Sequence, residues 1–95
     1  MAIVVGILQV RLVLREAQSL KDKRRIVKGL RDRIRNEFNV SASEVDALDR
    51  IQSAVLGVAV VTNERAFADQ VLAKVVDYVR RAPGAELVNY ETELL

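Results

Sequence analysis

The sequence predicts an α+β domain with the element order β-α-β-β-α-β, and three observations point to it. Ala2–Leu14 and Ile51–Thr62 are long runs dominated by Val, Leu, Ile and Ala. Ser19–Asn39 and Glu64–Ala82 repeat their apolar residues at helical spacing. Each of these helical stretches is followed by a shorter segment, Val40–Val45 or Ala85–Leu94, that suits a strand.

Ala2–Leu14 alternates. Val4, Leu8, Val10, Leu12 and Leu14 share one face with Gly6, as in a half-buried strand. The other face begins apolar with Ile3, Val5 and Ile7, then turns polar at Gln9 and Arg11. A sheet backed by helices on one side is expected to be polar on the other. The apolar end therefore predicts a cover for Ile3, Val5 and Ile7, namely a second copy in a homodimer.

Arg15–Gln18 leads into one strongly basic amphipathic helix, SLKDKRRIVKGLRDRIRNEFN. Placed at helical steps, Leu20, Ile26, Val27, Leu30, Ile34 and Phe38 fall within about 120° of arc, the width of a core-facing stripe. Lys21, Arg24, Lys28, Arg31 and Arg35 form a row beside it over about 80° of arc, directed to solvent. Ser19 with Asp22 makes a capping box, and Asn39 suits the stop. Gly29 costs the helix about 1 kcal/mol relative to Ala, and a close approach to the sheet would explain it.

Val40–Val45 is then a short strand and Asp46–Arg50 a polar connection. Ile51–Thr62, nearly all apolar, is expected to be a central strand buried on both sides. Asn63 is placed to cap the second helix, whose core stripe is Phe67, Val71, Leu72, Val75, Tyr78, Val79 and Ala82. Arg80 and Arg81 sit at the negative end of its dipole, and Pro83–Gly84 ends it. In Ala85–Leu94, Val88, Tyr90, Thr92 and Leu94 take one face and Asn89, Glu91 and Glu93 the other. Two right-handed crossovers then put both helices on one face of a four-stranded antiparallel sheet. That is the ferredoxin-like arrangement, in a single domain over residues 1–95.

Composition narrows the chemistry. The chain has no cysteine and no histidine, which excludes disulfides, thiol chemistry, Cys/His zinc sites and histidine acid–base catalysis. Its first apolar residues are too short to span a bilayer and lack the flanks of a signal peptide, so a cytoplasmic address and no membrane association are expected. The charge is lopsided: Lys21–Arg35 carries +6, leaving −4 on the remaining eighty residues and +2 in all.

A row of Arg and Lys at helical spacing can neutralise successive phosphates. Lys21, Lys23, Arg24, Lys28, Arg31 and Arg35 are accordingly the candidate nucleic-acid contacts, against the plain alternative of a solvated helix face. Insertion into a membrane is disfavoured, because the apolar stripe of the helix is needed for the core. RNA-recognition motifs share this topology but stack bases on aromatics of their two central strands, which here read GILQVRL and AVLGVAVV without one. Binding is therefore expected through backbone charge and shape. Acylphosphatases have similar length and architecture, but their glycine-rich phosphate loop is replaced by LREAQSLKDKR. Glu44, Asp46 and Asp49 match no metal loop and read as solvated turn acids. No Ser or Thr has a base partner in view, so no enzyme activity, metal, cofactor or small-molecule substrate is expected.

SLKDKR at Ser19–Arg24, FNVSASEVD at Phe38–Asp46, AVLGVAVV at Ala54–Val61 and the ending ETELL resemble the YlxP-like family of small bacterial proteins, a domain of unknown function. The likeness covers essentially the whole chain. The connection DALDRIQ keeps Asp46, Asp49 and Gln52 of a D-x-x-D-x-W-Q-type pattern, with Ile51 at the aromatic position. The family's association with genes for transcription and translation factors implies work on RNA or the ribosome, and its motif covers Lys21, Asp22, Lys23 and Arg24, of which Asp22 is accounted for by its capping role. The expectation is a non-catalytic, RNA- or ribosome-associated protein. The alternative is an assembly module that self-associates through its sheet and docks an acidic partner.

Overall fold

A computed structural model describes residues 2–95. Six elements follow in the expected order: β1 (Val4–Val13), α1 (Leu20–Glu37), β2 (Ser41–Asp46), β3 (Ser53–Thr62), α2 (Arg65–Arg80) and β4 (Glu86–Leu94). The strands form one antiparallel sheet in the order β2-β3-β1-β4, and both helices pack on the same face. The chain has the ferredoxin-like fold.

Alternation along β1 sets the layers. Val4, Leu8, Val10 and Leu12 point into the core with Val60, Val58, Leu56 and Ala54 of β3, where they meet Val27, Leu30 and Ile34 of α1 and Leu72, Val75, Val76 and Val79 of α2. Burying each such side chain is worth about 1.5–3 kcal/mol. Gly6 lets α2 approach the sheet. A Cβ there would lie 3.0 Å from Val60, 3.1 Å from Leu72 and 3.3 Å from Ala68. Phe38 and Tyr78 close the far end of the helix layer edge to face, with ring centroids 5.8 Å apart.

The structure corrects several expectations. β3 is buried on both sides only in part: on its second face Val55 is fully buried, Gly57 and Ala59 are half-buried, and Val61 is 71% exposed. The helices cover only one face of the sheet, so an apolar run need not be enclosed on both sides along its whole length. Ile51 lies before the strand and is exposed. In α2, Phe67 is 49% exposed, and Ala68 takes the buried place beside Gly6. The cap of α2 is Glu64 in extended conformation rather than Asn63, with Thr62 Oγ1 accepting from the Glu64 amide at 3.4 Å. In β4 a register shift opposite Arg11/Leu12 pairs Leu87 with Leu12 and leaves Val88 exposed, so Leu87 and not Val88 joins the inward set. Gly29 has no close approach to the sheet; a Cβ there would meet only Arg33 Nη1, at 3.3 Å.

The open face is laid out in rows. Val5 exchanges backbone hydrogen bonds with Leu95 on one side and pairs with Val61 on the other. The next rows run Glu93–Ile7–Ala59–Ser41 and Glu91–Gln9–Gly57–Ser43. Val45, at a bulge in β2, lies over Gly57. The apolar end comprises Ile3, Val5, Ile7, Val61 and Leu95, of which Ile3, Val61 and Leu95 are exposed and Val5 and Ile7 half-buried. No helix among the described residues is long and apolar enough to cross a membrane.

Candidate nucleic-acid interface on the basic helix

The basic helix is held to the body from both ends. At its start, Ser19 Oγ accepts from the Asp22 amide at 3.0 Å, and Asp22 Oδ2 accepts from the Gln18 amide at 3.1 Å, the reciprocal pattern of a capping box displaced by one residue. Gln52 grips the preceding loop, its Nε2 donating to the carbonyls of Arg15 at 3.1 Å and Ala17 at 3.0 Å. At the far end, Arg35 Nη2 donates to the Ala42 carbonyl of β2 at 2.6 Å.

Lys23 is the largest departure from the sequence reading. Expected among the phosphate contacts, it is fully buried and cannot serve as one. Its Nζ donates to the carbonyls of Ala47 at 2.6 Å and Leu48 at 3.4 Å, and lies 2.9 Å from Glu44 Oε2. That carboxylate oxygen is buried and off hydrogen-bond alignment with the ammonium, so their contact is an ion pair. Ala47 adopts a left-handed conformation, φ 58°, with its amide donating to Asp46 Oδ1 at 2.7 Å. Glu44 and Asp46 therefore serve Lys23 and the β2–β3 turn respectively. The spacing carried a signal for this: Lys23 falls in the 3-4-3-4 series Leu20, Lys23, Val27, Leu30, Ile34, on the core stripe itself. The sequence marks Gln52 only as part of a motif; its role as a loop clamp depends on the fold.

The remaining cations reach the surface. Lys21, Arg24, Lys28 and Arg35 are exposed and Arg31 half-exposed. Arg31 is bonded to its neighbour Asp32 through Nε at 3.2 Å and Nη2 at 3.1 Å. Among the described residues no carboxylate pairs with Lys21, Arg24 or Lys28. Arg24, Lys28 and Arg31 border a cleft of about 220 Å³ with Val27 and Glu44 in its wall, between α1 and β2. Three cationic residues thus flank a concave strip walled by Val27 and by the Glu44 side chain, whose carboxylate is engaged with Lys23. Ile3, Val5 and Ile7, the expected dimer contacts, lie on the opposite side of the sheet.

A family model described as "Protein of unknown function (DUF503)" matches residues 5–92. The uncharacterized protein YlxP of Bacillus subtilis (strain 168) is 32% identical over 89 residues, which are 94% of this chain and 97% of that protein. Among solved structures, the de novo designed protein Foldit4 superposes with a TM-score of 0.55 at 14% identity, covering 98% of this chain and 96% of that one. The de novo designed protein LFR1 1 with ferredoxin fold gives a TM-score of 0.54 at 14% identity, covering 99% and 85%. The two designs are alike in fold alone.

Proposed function

We propose, for a chain that belongs to the DUF503 family of proteins of unknown function, a non-catalytic role in the cytoplasm: association with RNA or the ribosome through α1. The observation that carries this reading is the exposed run Lys21, Arg24 and Lys28, with no carboxylate partner among the described residues, continued by Arg31 and Arg35, which bond to Asp32 and to the Ala42 carbonyl, on a helix clamped at both ends. A helix held at both ends presents cations at helical spacing without a backbone ordering cost, although their side chains still lose rotamer freedom on binding, and Arg can hold a phosphate with two hydrogen bonds. The central strands offer no aromatic for base stacking, which favours contact with the phosphate backbone. The test is titration against structured RNA and duplex DNA at two salt concentrations, with an Arg24→Glu/Lys28→Glu/Arg31→Glu variant alongside and circular dichroism to check its fold. Salt-sensitive binding lost in the folded variant supports the reading; binding that survives removes α1 from it.

A second reading, self-association through the sheet, is favoured by the row Leu95–Val5–Val61 with Ile3 beside it. Leu95 and Val61 are exposed at both ends of that row.

A further inference from the structure

Two clefts, of about 560 and 380 Å³, meet end to end along one strand, β4, and share Arg80 and Tyr90. The first follows β4 from Ala85 to Tyr90, and the second lies between Tyr90 and Thr92 and the flank of α2 at Leu72, Ala73 and Val76. β4 is an edge strand with no neighbour beyond it among the described residues; three Glu and the irregularity near Val88 mark that edge, so it is acidic, but it carries neither Pro nor Lys. Register decides what the edge offers. Val5 and Leu95 exchange both backbone hydrogen bonds, so Glu93 and Glu91, two and four residues back, also turn their amides toward β1. Leu94, Thr92 and Tyr90 therefore present their N–H and C=O groups outward. An unpaired, outward ladder thus runs beside a groove partly floored by Leu72 and Val76.

We infer that β4 accepts an extended segment of another protein as a fifth strand, and that this segment alternates apolar and basic residues. Residues of the added strand opposite Tyr90 and Thr92 make the ladder hydrogen bonds and turn their side chains into the groove under α2, which calls for Val, Ile or Leu. Residues opposite Glu91 and Glu93 fall in the close, non-hydrogen-bonded pairs on the open face, where side chains approach most nearly. Neither carboxylate has a partner among the described residues, so Lys or Arg completes those pairs. Asp69 and Asp77 on the lip of the groove add to the preference, while Arg80 is turned onto the Tyr90 ring at 5.7 Å. The same charges disfavour a second copy. Antiparallel self-pairing about Tyr90 gathers four carboxylates, Glu91 and Glu93 from each chain, on one face with no cation of β4 among them.

The probe is a labelled alternating Lys-Val peptide of the length of β4, nine residues, titrated by fluorescence anisotropy and followed by amide NMR. Three comparisons accompany it: a Glu-Val peptide, a Lys-Val peptide N-methylated at alternate residues, and the protein variant Glu91→Lys/Glu93→Lys, whose two sites are exposed. Saturable binding is expected, with the Tyr90, Thr92 and Leu94 amides shifting. The Glu-Val peptide and the Glu91→Lys/Glu93→Lys variant should each weaken it by about tenfold or more, and N-methylation facing the edge should abolish it. Absence of binding, indifference to N-methylation or to charge reversal, or shifts confined to α1 would each overturn the inference. So would sedimentation showing a dimer that Glu91→Lys/Glu93→Lys strengthens. The α1 variant Arg24→Glu/Lys28→Glu/Arg31→Glu should bind the peptide as the parent does, which separates this site from the proposed RNA surface.

Discussion

The Lys23 ammonium and the Glu44 carboxylate face each other at 2.9 Å beneath the β2–β3 turn, one fully buried and the other with 17% of its side chain exposed. This pair joins the first turn of the basic helix to the edge strand beside it. The Ala47 carbonyl, 2.6 Å from the same ammonium, locks the left-handed turn residue into the arrangement. A residue that reads as part of a cationic surface is thus the internal peg on which that surface is mounted.

Removing the peg should cost stability rather than affinity. Lys23→Met leaves a mostly buried carboxylate and the Ala47 carbonyl without their cation, and is expected to lower unfolding free energy by about 3 kcal/mol. That is the low end of the range for broken buried pairs, because Glu44 keeps some contact with water. Lys23→Met/Glu44→Leu should recover part of the loss. Urea unfolding of both variants checks this; a Lys23→Met protein as stable as the parent would contradict the buried pair.

Gly29, within α1, and Gly6, facing α2, should respond in opposite directions. Gly29→Ala adds a methyl that meets only a mobile guanidinium, so it should stabilise α1 by about 1 kcal/mol. Gly6→Ala drives a methyl against Val60, Leu72 and Ala68, and should destabilise by about 1–3 kcal/mol. Thermal melts of the pair give the sign directly.

Gln52→Leu removes both donations to the Arg15 and Ala17 carbonyls. Since Ala17 is buried, the expected cost is about 1–3 kcal/mol. Faster amide exchange should accompany it over residues 15–19. Exchange unchanged there would mean that the loop holds its shape without the clamp.

For the α1 reading, each phosphate contact contributes about 0.9 to the salt slope on duplex nucleic acid. Losing Arg24, Lys28 and Arg31 should therefore flatten the log–log slope by about 2–3 on duplex. Lys23→Met should leave that slope unchanged while the protein is folded. A Lys23→Met effect on slope as large as that of Arg24→Ala would put Lys23 back on the surface.

For the sheet reading, Val5→Lys places a charge in the middle of the Leu95–Val5–Val61 row. If that face pairs two copies, sedimentation equilibrium should show a dimer in the parent and a monomer in the variant. An oligomeric state that ignores the change would remove the face as an interface.

Much of this architecture is written locally. Ser19 and Asp22 announce the start of α1, the Leu20–Ile34 stripe gives its buried side, and the alternation of Val4 to Leu12 sets the pleat of β1. What escaped depended on partners distant in sequence. Lys23 occupies an apolar position because Glu44 and Ala47 arrive from another strand, and charge alone argued for the surface. Phe67 was placed inside by its hydrophobicity, whereas the tight contact at Gly6 admits only the small Ala68 at that turn. The inward role of Leu87 hangs on a one-residue register shift against β1, to which a sequence pattern is blind. The edge amides of β4 are likewise a property of pairing, not of composition.

The strand order has an electrical consequence. α1 packs on the β2 side of the sheet, and the β4 edge with Glu91 and Glu93 lies at the other border, three strand spacings or about 14 Å away, where Glu86 is already paired with Arg15. That exceeds the distance of about 8 Å over which physiological salt lets exposed charges feel one another. The cationic and acidic borders therefore lie on opposite flanks of an elongated molecule, 48 Å long and about 20 Å across, and each acts on its own surroundings. If α1 meets a polyanion as proposed, the molecule turns before it touches, cations leading and carboxylates trailing. Once seated, it holds its acidic border outward, toward the solvent from which a second partner would come.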